Sequence, residues 1–345
     1  MTAHSTLTPE EMTPHRQPTA ARLTRKLAES PEAGVIIACV LVFVVIALNA
    51  PTYTATGNLQ VMGRDLAQVG ILAVGESVVI LTGGIDLATG SVIGASGVAG
   101  AWIITSSHNL VAGVVFGLLT GTVIGLLVGV VVAKLPVVPF AVTLAALYAV
   151  SGATTLLSHG RTIAPMPAGL IRFSIVGPLG VPSAVWLAGG LYVIAQLALT
   201  RTAWGRRVTH VGANVEVARI SGVDVVATKA SVYAVAGLFS AIAGMVLTSG
   251  LAGAGASMGS PLLLNIVGAV VLGGTSLAGG RGSLVRTAIG VLFLGFLSDG
   301  MSLLGLASYD QQIVTGAMIF FAASADGLLR RLRRSRVTTA GRDLP

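Results

Sequence analysis

Few residues of this chain are equipped for chemistry. Cys39 is the only cysteine, so the chain cannot form an internal disulfide. Lysine occurs at 26, 134 and 229 only, and none completes a G-x-x-x-x-G-K-[ST] phosphate loop. No C-x-x-C or H-E-x-x-H is present, so no ordinary metal site is visible and no hydrolytic chemistry is read. What remains is a handful of acids in apolar surroundings: Glu76, Asp86, Asp299 and Asp310. Charges in such surroundings are expensive, so each is a functional candidate. Glu76 lies deep in an apolar run, with Gln68 two turns earlier on a similar face; it either faces a water-filled path or pairs within the bundle. Asp299 and Asp310 fall near the ends of apolar runs, where capping or an interfacial position accounts for them. Nothing places Glu76, Asp299 and Asp310 on one path, so no proton relay is read.

Asp86 belongs to a second unusual group. LTGGIDLATGSVIGASGVAG, residues 81–100, holds six glycines around that acid. Gly83 and Gly84 should break a helix at the membrane face, with Asp86 capping the next helix and its charge in the wet interface. Gly90, Gly94, Gly97 and Gly100 then let that helix pack closely. A direct part for Asp86 in subunit coupling is the alternative. VLGGTSLAGG, residues 271–280, repeats the pattern: Gly83/Gly273, Gly84/Gly274, Leu87/Leu277, Ala88/Ala278 and Gly90/Gly280 correspond. Ser91 follows the first stretch directly and Ser283 the second after a two-residue insertion. We read Gly83, Gly84, Asp86, Gly90, Gly273, Gly274 and Gly280 as two related hinge turns of a parallel internal repeat. Its second to fourth spans are echoed by the last three.

The elements that carry these turns follow from composition. The 345 residues are 54% hydrophobic and 10% charged. A soluble domain carries about 25% charged residues, so this chain could not cover a water-facing surface. The expected fold is all-α and polytopic, with about ten transmembrane helices. The expected spans are 34–50, 61–82, 86–105, 110–133, 137–157, 184–200, 229–249, 262–275, 284–303 and 310–328. The eighth is short, so eight or nine crossings stay open. With both termini in the cytoplasm, the inner segments hold 18 of the 21 basic residues, leaving Arg64, Arg161 and Arg172 elsewhere. The net charge of +8 is therefore a topology signal rather than a sign of nucleic-acid binding. Residues 1–33 and 329–345 are expected to be cytoplasmic tails flanking a transmembrane domain at 34–328, in the inner cell membrane. Gly113, Gly117, Gly121, Gly125 and Gly129 form a shallow ridge at four-residue spacing. It fits close packing within one subunit, a dimer seam or a pore wall. The outer loop 158–183, stiffened by four prolines, is either a docking surface or an ordinary ordered loop.

One inner loop is substantial: TRTAWGRRVTHVGANVEVARISGVDVVATK, residues 200–229. Asn214 should cap a two-turn helix over NVEVARIS, with Glu216 in its first turn and Gly222 ending it. Taken alone, that helix docks a partner or lies flat on lipid. The pattern G-R-x-x-x-x-x-G-x-N-x-x-x-A-R-x-S-G-V nevertheless resembles the cytoplasmic loop of permeases of the ribose and simple-sugar ABC importers. GGIDLATGSVIG, QVGILAVGESVVILTGG and residues 271–320 resemble further segments of that family, from about residue 35 to 330.

The resemblance implies an ATPase-coupling role for Gly205, Gly212, Asn214, Ala218, Ser221 and Gly222. It implies a pore made by a permease homodimer or paralogous heterodimer, an ABC ATPase subunit and an extracytoplasmic sugar-binding protein. The chain would be no enzyme and hold no cofactor, ATP and Mg residing on the ATPase subunit. One departure stands out: where the family commonly has Tyr-Glu-Leu-Asp, this chain has Leu262, Leu263, Leu264 and Asn265. That leaves ribose, another monosaccharide or a non-sugar polar solute as the cargo. An ion-coupled secondary transporter is the remaining alternative, disfavoured by the scarcity of central acids.

Overall fold

The computed structural model describes residues 31–321 and 324, so the tails before Pro31 and beyond residue 324 lie outside the described residues. Within them the chain is helical, with one isolated β-bridge and no strand. The helices are α1 (Pro31–Asn49), α2 (Thr56–Leu81), α3 (Thr89–Ser107), α4 (Leu110–Lys134), α5 (Pro139–Leu157), α6 (Ala168–Ile175), α7 (Ser183–Arg201), α8 (Ala203–Ala213), α9 (Val215–Ile220), α10 (Val225–Leu251), α11 (Leu263–Leu272) and α12 (Leu284–Leu303). A further helix, α13, covers 308–321. Each expected apolar run becomes helix over its described residues, although the eighth keeps only the ten residues of α11 and the end of the tenth, apart from residue 324, lies outside the described residues beyond 321. Sequence reasoning missed α6, inside the outer loop, and α8, ahead of the expected loop helix.

Two kinds of helix make the bundle. α4, α5, α7, α10 and α12 are each long and apolar enough to cross a membrane. Three of these form an outer shell: α5 buries only Thr143 and Thr154, while α4 and α7 turn residues such as Leu119, Val123, Val193 and Ile194 outward. α2 and α3 are instead interior. Every residue from Gly70 to Leu81 and from Thr89 to Val98 is buried. A helix enclosed on all sides need not be apolar toward lipid. This is why α2 and α3 can carry Glu76, Gln68, Ser91, Ser96 and so many glycines.

The ridge on α4 faces inward. A Cβ at Gly121 would lie 2.7 Å from the Gly237 carbonyl oxygen, and one at Gly117 would lie 2.8 Å from that of Ser96. A Cβ at Gly125 would overlap the Tyr233 carbonyl oxygen. The five glycines thus seat α4 against α3 and α10 of the same subunit. Without a hydrophobic effect between helices in lipid, such close van der Waals approach is the main attractive force.

Successive long helices alternate in direction, giving the bundle two ends. Residues 82–88, α8, α9 and 273–283 gather at one end. The opposite end holds 50–55, 158–182 and the first residues after α10, 252–255, which are held by paired backbone bonds between Ile163 and Ala254 (2.9 and 3.0 Å). Both glycine turns lie at the same end, as a parallel repeat requires. The two copies differ in build, since α2 is an unbroken 26-residue helix while α11 follows an irregular stretch, 252–262.

Candidate coupling site

The end of α2 is the anchor. Thr82 Oγ1 donates to the Val79 carbonyl oxygen at 2.8 Å. The amides of Gly83 and Gly84 close the helix on Ile80 O and Val79 O. Gly83 takes φ +79°, a value that suits glycine. Leu81 O, left without a partner inside the helix, accepts a hydrogen bond from Gly280 N at 2.9 Å. The first turn is therefore bonded to the second across about 200 residues of sequence.

The last turn of α8 completes the junction. A Cβ at Gly212 would overlap Leu81 O and lie 2.7 Å from Gly280 N. A Cβ at Gly279 would lie 2.8 Å from both Gly212 O and Gly83 N. A Cβ at Gly280 would lie 2.8 Å from the Ala213 Cα. Three chain segments thus meet backbone to backbone at Leu81–Gly83, Gly212–Ala213 and Gly279–Gly280, with no side chain between them. Of the residues expected to act, the structure brings Gly83, Gly212 and Gly280 into direct contact. Gly279, Leu81 and Ala213 were missed. The Gly279-Gly280 doublet was a visible signal for the first, whereas Leu81 and Ala213 contribute backbone only and leave none.

The other expected hinge residues sit elsewhere. Gly84 packs beside Tyr233, whose hydroxyl would be 2.6 Å from a Cβ at that position. Gly273 lies against the backbone of Arg286 and Thr287 on α12, and Gly274 has φ +77°. Gly90 begins α3 beside Gly259. Asp86 Oδ1 accepts from Ala88 N at 2.9 Å in the turn just before α3, whose N-cap position is Ala88. Asp86 is not in the wet interface, however, being 3% exposed. The reason is that residues 84–88 turn back into the bundle beside α2, so that Asp86 N reaches Glu76 Oε1 at 3.2 Å. Glu76 is therefore an internal partner of the α2–α3 break, with its other oxygen buried and unpartnered.

This bond makes a prediction. Glu76→Leu should leave the Asp86 amide unpaired and lower the subunit's stability by about 1–3 kcal/mol. Glu76→Gln keeps an acceptor oxygen and should cost much less. The midpoint of thermal unfolding in detergent measures both; equal losses would mean that the accepting oxygen is not what Glu76 contributes.

The surface of the loop is built on the same end. Thr202 caps α8 by accepting from Gly205 N at 3.2 Å, and Trp204 Nε1 donates to Ser231 Oγ of α10 at 2.9 Å. Gly205 fits where a Cβ would overlap the backbone of Leu199, so the α7–α8 corner is tight. α8 buries Gly205, Val208 and Val211 and exposes Arg206, Arg207 and His210. Asn214 Oδ1 accepts from Glu216 N (2.9 Å) and Val217 N (3.0 Å), capping α9 as its sequence suggests. Ala218 faces the bundle. Val217, Ile220, Ser221 and Gly222 are exposed, beside the Glu216–Arg219 ion pair at 3.4 Å. α9 therefore offers a small apolar face rimmed by charge, joined to the junction through Asn214 and Ala213.

Residues 64–323 match the family model of the permease component of branched-chain amino acid transport systems. The chain belongs to this family. The permease is 36% identical to the ribose import permease protein RbsC of Escherichia coli strain K12 over 298 residues, 84% of this chain and 92% of that protein. It is 39% identical to RbsC of Bacillus subtilis strain 168 over 289 residues, 83% of this chain and 89% of that one. It is 31% identical to the L-arabinose transport system permease protein AraH of E. coli K12 over 307 residues, 88% and 92% of the two chains. No solved structure matches it. The permease is a multi-pass helical membrane protein, and its resemblance to the ribose and simple-sugar permeases holds over most of its length.

Proposed function

We propose that the chain is the membrane-spanning permease subunit of an ATP-driven ABC importer for a monosaccharide, ribose or a related sugar. The observation that carries this reading is the 36–39% identity to ribose import permeases over more than four fifths of the chain. The family model is described by amino acid transport; the sugar reading rests on the relatives. Two such subunits form the pore in the inner cell membrane, with both termini in the cytoplasm. A binding protein delivers sugar outside, and a separate ATPase subunit with ATP and Mg drives the cycle. The permease itself makes and breaks no covalent bond. It offers two packings of its helices, and ATP binding and hydrolysis elsewhere bias them.

In this reading α9 is the surface that the ATPase subunit grips. The junction at Leu81–Gly83, Gly212 and Gly279–Gly280 carries that grip to the helices. A force on α9 reaches α8 through Ala213, and α8 bears on the ends of α2 and of the 273–283 turn together. Ser221 is exposed at the C-terminal end of α9 and absent from the junction. Ser221→Trp should therefore leave the subunit folded and inserted while blocking ATP-driven uptake. Normal uptake in that variant would remove α9 from the docking surface.

Proteoliposomes holding the permease, its ATPase and its binding protein test the function. Uptake of labelled D-ribose or L-arabinose should require ATP and persist when ion gradients are collapsed. Uptake driven by an ion gradient with no ATPase present would overturn the reading.

A further inference from the structure

The irregular segment between α10 and α11 lies at membrane depth and is open on one side. Its depth follows from contacts with α3. Cβ atoms at Gly94 and Gly97 would overlap Ala256 and Met258, and Gly259 lies against Gly90. The 19 residues of α3 span about 28 Å, and Gly90–Gly97 fall within its first ~12 Å. α3 itself starts well inside the bundle, because Asp86 N bonds Glu76, which is five residues or about 7 Å before the end of α2. Residues 256–259 therefore sit roughly 9–20 Å from the junction end, in the middle of a hydrocarbon core about 30 Å thick.

Ser257, Ser260, Pro261, Leu264 and Asn265 are exposed there. The backbone ahead of the 3-10 turn Ser260–Leu262 is non-helical, and at this depth such backbone is tolerated only where protein covers it or where it lines a water-filled cavity. The side chains point the same way. Thr120 and Thr122 on α4, Thr155 on α5 and Thr200 on α7 each donate to the carbonyl four residues earlier and so need no outside partner. Among the described residues, the Ser257 and Ser260 hydroxyls and the Asn265 amide have no hydrogen-bond partner. Facing hydrocarbon, each would cost several kcal/mol. Facing water, they cost nothing and present hydroxyl and amide groups, the chemistry that matches a polyhydroxylated solute.

We propose that residues 257–265 line the aqueous path through the importer, with Ser257, Ser260 and Asn265 offering hydrogen bonds to the passing sugar. The proposal rests on the importer reading and assigns that path a wall. It gives the replacement of two family acids in this segment by Leu263 and Asn265 a place: the uncharged amide is the group left to meet a neutral sugar at that turn.

Cysteine accessibility tests it. Cys39, the only cysteine, is buried in α1 and is first changed to Ala. Ser257→Cys and Ser260→Cys are then made singly in the full chain. Val123→Cys on α4 and Ile194→Cys on α7, exposed near the centres of two outer helices, serve as lipid-facing controls. Membranes opened on both faces are treated with a charged, membrane-impermeant thiol reagent. Because the thiolate is the reactive species and apolar surroundings suppress it, the serine positions should react at least about tenfold faster than both controls. Reaction of Ser260→Cys no faster than the controls overturns the proposal. The labelling requires neither the ATPase nor a known cargo. A chain that proved to be an ion-coupled transporter would fail the uptake assay yet still show this pattern.

Discussion

Gly212→Val should sharply reduce coupled uptake while leaving the permease in the membrane. Even the first carbon of a side chain at this position would overlap the Leu81 carbonyl oxygen and crowd Gly280 N. Both are backbone atoms at helix or turn ends, and neither can rotate away as the end of a flexible side chain could. The last turn of α8 must lift, and with it goes the arrangement in which Leu81 O holds Gly280 N at 2.9 Å. Overpacking of this kind costs about 1–3 kcal/mol, so ATP-driven uptake should fall roughly tenfold to a hundredfold. Gly212→Ala should give most of the effect, because the overlap begins at Cβ. ATP hydrolysis by the partner subunit should continue, since the exposed face of α9 is untouched, and the two activities become uncoupled. Gly189→Ala and Gly190→Ala on α7 have open space around the added carbon and should transport normally. Normal uptake by Gly212→Val would show that the junction does not carry the signal.

The second large effect falls on assembly. Gly125→Val should prevent accumulation of a folded subunit, because its side chain would enter the backbone of α10 at Tyr233 and Gly237. The ridge has no slack to absorb it: Gly121 and Gly129 meet the same helix one turn to either side, with a Cβ at Gly129 only 2.7 Å from that of Tyr233. α4 would have to separate from α10 along its length, with loss of the packing that holds helices together in lipid. The expected cost exceeds the usual 1–3 kcal/mol of a local overpacking, since relief at one glycine requires movement at its neighbours. A fluorescent fusion followed by size-exclusion chromatography would read the outcome: a collapsed monodisperse peak for Gly125→Val, an unchanged one for Gly152→Val, which has open space on α5. A stable, monodisperse Gly125→Val subunit that had merely lost self-association would return the ridge to the role of a dimer seam.

The two variants separate features that look alike in the sequence. Gly125 and Gly212 are both glycines in apolar or interfacial helices, yet one supports a helix–helix seam and the other a three-way backbone contact. Periodicity revealed the first, because a four-residue repeat is a property of one helix and survives in one dimension. It left open which neighbour the ridge meets, and α3 and α10 answer that only once the bundle is assembled.

Local chemistry was legible throughout. The cap by Asn214, the Asp86–Ala88 turn, the ending of α9 at Gly222 and the break at Gly83-Gly84 depend on residues within a few positions of one another. The apolar runs and the basic bias of the inner loops likewise needed only composition along the chain. Hydrophobic length decides what can cross a bilayer, so the sequence by itself determined a polytopic helical protein. Its similarity to sugar permeases was carried by contiguous motifs.

The tertiary structure decided what those motifs touch. Asp86 read as an interfacial charge because Gly83-Gly84 marks a surface turn. The chain instead folds back inside, and the Asp86 amide finds Glu76 ten residues away. Leu81 and Ala213 carried no side-chain signal, since what they contribute is backbone. Their meeting with Gly279 and Gly280 joins segments roughly 130 and 200 residues apart, fixed by how α2, α8 and the 273–283 turn pack together. Side-chain pattern encodes which surfaces are apolar and which backbone positions bend. Which of these bends share one point in space is set by the packing of the whole bundle, and here that point is the proposed link between ATPase and path.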